Sequence, residues 1–298
     1  MIIENINIGK IGYNINHDIH INEYYMYIVN LFKGWLHSQD KALNLVIGNY
    51  NFNFGNNNKI IKIDVQCEHT LVKDGGRSIG ERIYGQVKHK DGNYLVRIDK
   101  YDYLNSLDIV IEYSLPNMFN ILSNKKFNDY YTKNIYIAPI LYDINFSNLN
   151  KTDIVTLFSK NGSQRRGNIL ADMVKLNIPN KTIESCFSSQ CILDLYDSCR
   201  ILVNVHQTDH HHTFEELRVL PALLNGVIII SEDVPLKETI KYSDYIIWVN
   251  YDEIANKTLE VMNNYDYYYN KIFGDGVLSL ILTNLKDNNI KTINNIKI

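Results

Sequence analysis

The sequence predicts a two-domain α/β protein in which parallel sheets carry helices on both faces. Three observations point there. The chain has 298 residues, long for one core and natural for two. Short apolar, β-rich runs alternate with helical or polar stretches along it. Beyond residue 152 that alternation becomes a regular strand–helix repeat.

In the first half, strands are expected at Leu43–Ile47, Ile60–Val65, Tyr94–Ile98, Asp108–Tyr113 and Ile135–Ala138. A helix is expected at Asn22–Lys33 and a short one at Asn117–Leu122, while residues 49–59, NYNFNFGNNNK, read as a polar loop. Residues 139–152 read as a linker, which puts the domains at 1–149 and 150–298. The second half then gives strand DIVTLF, helix SQRRGNILADMVKLN with Ile169, Leu170, Met173 and Leu176 on one face, strand TIESCF and short helix ILDLYDS. Strand RILVNV and helix TFEELRVLPALLN follow, the helix ending at Gly226, a residue suited to the left-handed C′ position. VIIIS and YIIWV are strands, a helix lies near Tyr251–Met262, and Tyr268–Ile298 includes a further helix beside the domain boundary. This second half reads as doubly wound.

Composition narrows the function classes. The net charge of −3 gives no overall basic field for nucleic acid or an acidic membrane, so neither is an expected partner. The excess of Asn, Ile and Lys, with 22 tyrosines, reflects AT-rich codons, so short homopolymeric runs carry little chemistry. No apolar run approaches the roughly 20 residues of a membrane span. The start, MIIENINIGKIGYNINHD, lacks the basic and apolar regions of a signal peptide. Cys67, Cys186, Cys191 and Cys199 form no C-x-x-C pair and read as free thiols of a reducing, cytoplasmic location.

The densest polar constellation is residues 200–232, where strand RILVNV runs through a histidine-rich loop into a helix. A strand-to-helix corner of this kind is where open α/β sheets bind anions. It gathers Asn204, His206, His210, His211, His212, Glu215, Glu216 and Arg218. Thr213 and Glu216 have capping-box spacing. Glu215 is then unused by the cap and able to accept from a diol such as ribose. Arg218 shares the face of Glu215, where it either pairs with it, orients it or meets phosphate. Three consecutive histidines are poorly spaced for one tetrahedral metal, so no metal is expected; His206 is the first choice for a hydrogen bond to phosphate or base.

A second corner, Ser159 to Arg166, follows DIVTLF. Gly162 allows a tight turn, Ser163 is a suitable N-cap, and Lys160, Arg165 and Arg166 crowd positive charge at a helix N-terminus. That charge opposes the helix dipole unless an anion such as pyrophosphate shares the site. Glu232, ending strand VIIIS at the same edge, is a candidate for a sugar hydroxyl. In the first half, Gln66 to Arg77 offers Glu68, His69 and Asp74 as alternative general bases, with His69 favoured because imidazole ionises near neutrality. Glu112-Tyr113-Ser114 is a weaker candidate at a strand end.

The run strand–Gly–Arg-Arg–helix, then VNVH, then F-E-x-x-R-x-x-x-x-L-x-N-G-x-I-I-x-S-E, resembles the C-terminal nucleotide-sugar domain of GT-B glycosyltransferases. The likeness is to the "glycosyl transferases group 1" type of capsule and surface-glycan biosynthesis and covers about residues 150–265. It implies two Rossmann-like domains facing across a cleft, with the C-terminal helix packing back toward the N-domain. The N-domain would bind a glycan or other hydroxyl acceptor and the C-domain a UDP- or GDP-linked sugar, without metal or other cofactor. By the same likeness Arg165 or Arg166 would hold the donor pyrophosphate and Glu215 the ribose. Thr213 and Pro221 stand where family members carry an E-x₇-E pair, so the chain departs from the family there. Two other readings remain: a non-catalytic nucleotide- or glycan-binding module of the same fold, and a metal-dependent enzyme using His210–His212.

Overall fold

The computed structural model, which describes residues 1–14, 21–73, 82–90, 92–156, 163–182 and 189–297, is a mixed α/β structure with two mainly parallel sheets and a small antiparallel one. The first part of the chain runs β1 (Ile2–Ile6), β2 (Gly9–Tyr13), α1 (Asn22–His37), β3 (Leu43–Ile47), β4 (Lys59–Gln66), β5 (Leu71–Lys73), β6 (Arg82–His89) and β7 (Gly92–Asp99). It continues through α2 (Tyr101–Asn105), β8 (Ile109–Glu112), α3 (Leu115–Leu122), α4 (Asn128–Tyr131) and β9 (Asn134–Tyr136).

The first sheet has the order β1-β2-β3-β4-β8-β9, parallel except for the β1–β2 hairpin. All five residues of β3 are buried, as a strand covered on both faces requires. The sequence reading has no strand before Leu43. The hairpin forms there because β1 alternates inward and outward side chains and Asn7 takes the left-handed turn position at φ 53°.

One expected strand lies elsewhere. Tyr94–Ile98, anticipated in the parallel sheet, belongs to an antiparallel sheet of order β5-β7-β6. β6 ends at His89 and β7 begins at Gly92, too close for the crossover that parallel pairing needs.

From residue 137 to 152 the chain has no regular helix or strand, as the linker reading expects. The second part runs β10 (Asp153–Thr156), α5 (Gln164–Lys175), β11 (Lys181–Thr182), α6 (Ser189–Ser198), β12 (Cys199–Asn204), α7 (Glu216–Leu224), β13 (Ile228–Glu232), β14 (Ile247–Val249), α8 (Ile254–Asn263), α9 (Tyr265–Phe273) and α10 (Val277–Asn294). Its sheet is parallel throughout, with the order β11-β10-β12-β13-β14. The direction of winding therefore reverses between β10 and β12, the position in strand order at which open α/β sheets commonly bind ligands.

Packing follows the patterning. Ile169, Leu170 and Met173 of α5 are buried, while α7 buries Val219, Leu220, Ala222, Leu223 and Leu224. Full burial of each such leucine contributes about 2–3 kcal/mol relative to exposure. Gly226, at φ +68°, closes α7, and a Cβ there would approach the Phe146 backbone to 3.0 Å. α10 packs back on the first sheet, where Ile293 joins the core of α1 and β3. The Asn289 amide of α10 accepts from Ala138 N at 2.9 Å and donates to Ala138 O at 2.8 Å, as a neighbouring strand would.

Cys67 and Cys199 are in the thiol form, but Cys191 is disulfide-bonded, which corrects the expectation of four free thiols. Among the described residues no helix is long and apolar enough to cross a membrane.

Candidate functional site

The C-terminal ends of strands from both parallel sheets meet. Residues 205–215, which follow β12, do not stand free as a polar loop. Val72 of β5 forms an antiparallel bridge with His211. Lys73 N donates to His210 O at 2.8 Å and His212 N to Leu71 O at 3.1 Å. The histidine segment thus extends the small sheet, which itself springs from the end of β4.

This junction brings His69 and Glu215 together. His69 Nε2 lies 3.3 Å from Glu215 Oε1, and Arg218 Nε lies 3.9 Å from Glu215 Oε2. Burial pushes the Glu215 carboxyl up, but Arg218, His69, His206 and Arg166 outweigh it and hold the group below its ordinary value. Glu215 is therefore an anion at neutral pH. Burial lowers His69, against the pull of Glu215, so its imidazole is neutral there. A neutral imidazole held beside a carboxylate is suited to act as a general base.

Around this pair, His211 stacks on His69 with ring centroids 4.5 Å apart and planes 8° from parallel. Arg97 Nη1 lies 3.3 Å from His211 Nε2, and Arg97 Nη2 lies 3.6 Å from Glu68 Oε2. Glu68 is itself exposed and placed as the partner of Arg97 rather than facing Glu215. Arg166 donates to Val205 O from Nε and Nη2 at 3.3 and 3.1 Å. Burial and the nearby Arg218 lower its guanidinium to about 10. Arg166 and Arg218 thus act on one carboxylate, Glu215, from different helices.

Other expected residues serve structure. Arg165 meets Glu232 with both terminal nitrogens, Nη1 to Oε2 at 2.6 Å, and its Nε reaches Asp209 Oδ1 at 2.5 Å. Its guanidinium stacks on Tyr251 at 3.9 Å. Glu232 also accepts from His206 N at 3.0 Å. Asn204 donates to Ser231 Oγ at 3.0 Å, tying β12 to β13. Arg165 and Glu232 therefore satisfy each other at the end of the second sheet while Asn204 is taken up by Ser231, so the Glu232 carboxylate, the candidate for a sugar hydroxyl, already has an arginine partner. His206 is buried, its ring Nε2 3.5 Å from Asp233 O, and burial drops it to about 4. His212 packs beside it, ring centroids 5.2 Å apart. Ser163 caps α5 as expected, accepting from Arg166 N at 3.3 Å.

The capping box is not formed. α7 begins at Glu216, Glu215 occupies the N-cap, and no side chain caps the helix. Thr213 instead donates to Asn117 Oδ1 at 2.9 Å and accepts from Leu71 N at 3.3 Å. The Glu216 carboxyl accepts from Leu115 N at 2.9 Å, Tyr136 OH at 2.6 Å and Tyr242 OH at 2.8 Å. Both side chains are drawn into the joint between the two sheets, where buried and half-buried donors compete successfully with the helix terminus. Glu112 lies at that joint too, buried and raised by burial to about 8, with Oε1 taken by Tyr113 N, Ser114 N and Asn117 Nδ2.

Asp74, Lys160 and Gly162 lie outside the described residues. Among the described residues no three His, Cys, Asp or Glu side chains converge as a metal ion would require. Arg97 is the site residue that sequence reasoning missed. Its signal was there: a single arginine within the apolar run Tyr94–Ile98, at a position now 4% exposed, needs a partner.

No protein-family model matches the sequence. The chain is 32% identical over 224 residues to "Uncharacterized protein R358" of Acanthamoeba polyphaga mimivirus, a match spanning 70% of this chain and 75% of that protein. At that identity and coverage the chain belongs to the same family as the mimivirus protein.

Proposed function

We propose that this protein is a metal-independent glycosyltransferase of GT-B type that moves a sugar from a UDP- or GDP-linked donor to a hydroxyl acceptor. In this reading residues 150–298 form the donor domain, residues 1–149 a divergent acceptor domain, and the cleft lies between the C-terminal edges of the two sheets. The observation that carries it is the His69–Glu215 contact of 3.3 Å, with Arg166 and Arg218 acting on the same carboxylate. It sits beside the reversal in strand order of the second sheet.

Each group then has a task. Glu215 accepts only, so His69 Nε2 carries the hydrogen and Nδ1 the lone pair. His69 Nδ1 takes the proton of the acceptor hydroxyl as that oxygen bonds to the anomeric carbon. The bond from the anomeric carbon to the β-phosphate oxygen breaks, and the nucleoside diphosphate leaves with the electron pair. Arg166 and Arg218 neutralise the growing charge, with the α5 terminus capped by Ser163 beside them. Glu215 orients the base instead of holding ribose.

The test is a thermal-shift panel of UDP, GDP, dTDP and CMP sugars. At about 100 times Kd, binding adds about 2.7 kcal/mol, a rise of about 4 °C in a chain of this size. One nucleotide class should stabilise the protein, and Arg166→Ala should abolish the shift. His69→Ala should keep the shift and slow transfer at least about 100-fold. No shift with any donor overturns the proposal.

A further inference from the structure

We propose that His211 is a positioning residue for His69, a flat lid clamped by Arg97 that fixes the plane of the imidazole beneath it and shields its face from water. The inference rests on the reading of His69 as the base.

Two constraints hold His211, one on its backbone and one on its ring. Its backbone is bridged to Val72, and the flanking bonds from Lys73 N and His212 N lock the segment onto β5. Its Nε2 faces Arg97 Nη1 at 3.3 Å. A guanidinium can only donate, so His211 Nε2 must carry the lone pair and Nδ1 the hydrogen. Its ring is therefore neutral, and burial, His69 and Arg97 together hold it far below the ordinary histidine range, at about 3. The geometry makes this ring an uncharged cover over His69, 4.5 Å away and nearly parallel.

That cover has two effects on His69. It removes water from one face, which favours the neutral base. It also leaves the ring little freedom to rotate away from Glu215, so Nε2 stays on the carboxylate. His69 Nδ1 is left buried, with no hydrogen-bond partner among the described residues, as a lone pair reserved for a substrate proton would be. The charged and titratable groups facing His69 are Glu215 and Arg218 on the α7 side, Arg97 of β7, Glu68 beside it in the chain, and His211. The two carboxylates raise its proton affinity and the two arginines lower it.

The experiment follows the His69 imidazole by long-range proton–nitrogen NMR between pH 4 and 8.5, assigned with His69→Gln. His211→Ala should move the His69 midpoint up by at least about half a unit, as water reaches the ring. His211→Phe, which keeps a flat cover, should leave the midpoint near wild type. If the alanine variant does not fold, His211→Asn, which keeps an acceptor for Arg97 but no ring, takes its place. In the transfer assay the acidic limb of the pH–rate profile should follow the same midpoints. An unchanged midpoint in the ringless variant that folds overturns the inference. Because the titration needs no donor, this result is independent of whether nucleotide sugars bind: a shifted midpoint without donor binding would support the lid and sink the transferase reading.

Discussion

Glu216→Ala removes the acceptor that joins the two sheets. In the folded protein its carboxyl serves Leu115 N and Tyr136 OH from the first sheet side and Tyr242 OH from the second. Alanine leaves three buried donors without a partner, each worth about 1–3 kcal/mol. Two effects offset part of this. The carboxyl's own desolvation, which raises it to about 7, disappears, and water can enter the space. A net loss of about 3–5 kcal/mol follows from the orphaned donors less these offsets. Glu216→Gln keeps an acceptor for Leu115 N and should lose about 1–2 kcal/mol. Urea unfolding with fluorescence detection suits the question, because the two tryptophans report separately: Trp35 sits in the first core and Trp248 packs on the second. With Trp35→Phe and Trp248→Phe backgrounds, the two midpoints should coincide in the parent and separate once Glu216 is gone. A Glu216→Ala protein within about 0.5 kcal/mol of an exposed control, Glu238→Ala, with coincident midpoints, would refute the reasoning.

The pH dependence of stability should show opposed slopes. Burial drops His206 to about 4 and His211 to about 3 from an ordinary 6.5, so unfolding takes up protons and stability falls as pH drops from 6.5 toward 4. Burial lifts Glu112 to about 8 and Glu216 to about 7 from 4.5, so unfolding releases protons and stability falls as pH rises from 4.5 to 8. Urea midpoints from pH 4 to 8.5 should peak between about 4.5 and 6.5, and a maximum near pH 8 would contradict these assignments. Glu232→Ala strips Arg165 of its two-point partner and His206 N of its acceptor, and should cost about 2–4 kcal/mol by the same assay. Glu232→Gln, which can still accept from His206 N, should lose less; equal losses would assign the effect to the arginine pair alone.

Much of the second sheet was legible because its signals are local. Runs such as VIIIS and RILVNV are long enough in apolar residues to be strands wherever they pack, Ser163 caps by its own geometry, and Gly226 ends its helix because few other residues tolerate φ +68°. Local rules also misled. Thr213 and Glu216 have capping-box spacing, but a capping bond is a modest gain that both side chains forgo for donors presented by Leu115, Tyr136, Tyr242 and Leu71. Those donors lie from 26 to 142 residues away in sequence, so no local window along the chain contains them. The same distance hid Arg97, whose partner His211 is 114 residues downstream. Residue types and periodicity alone marked most strands and helices of the second sheet, and showed that His69, Glu215 and Arg166 were worth watching. Only the folded chain decided that His69 meets Glu215 while Arg165 closes on Glu232, because which oppositely charged groups pair is set by the distance between them after the sheets have docked.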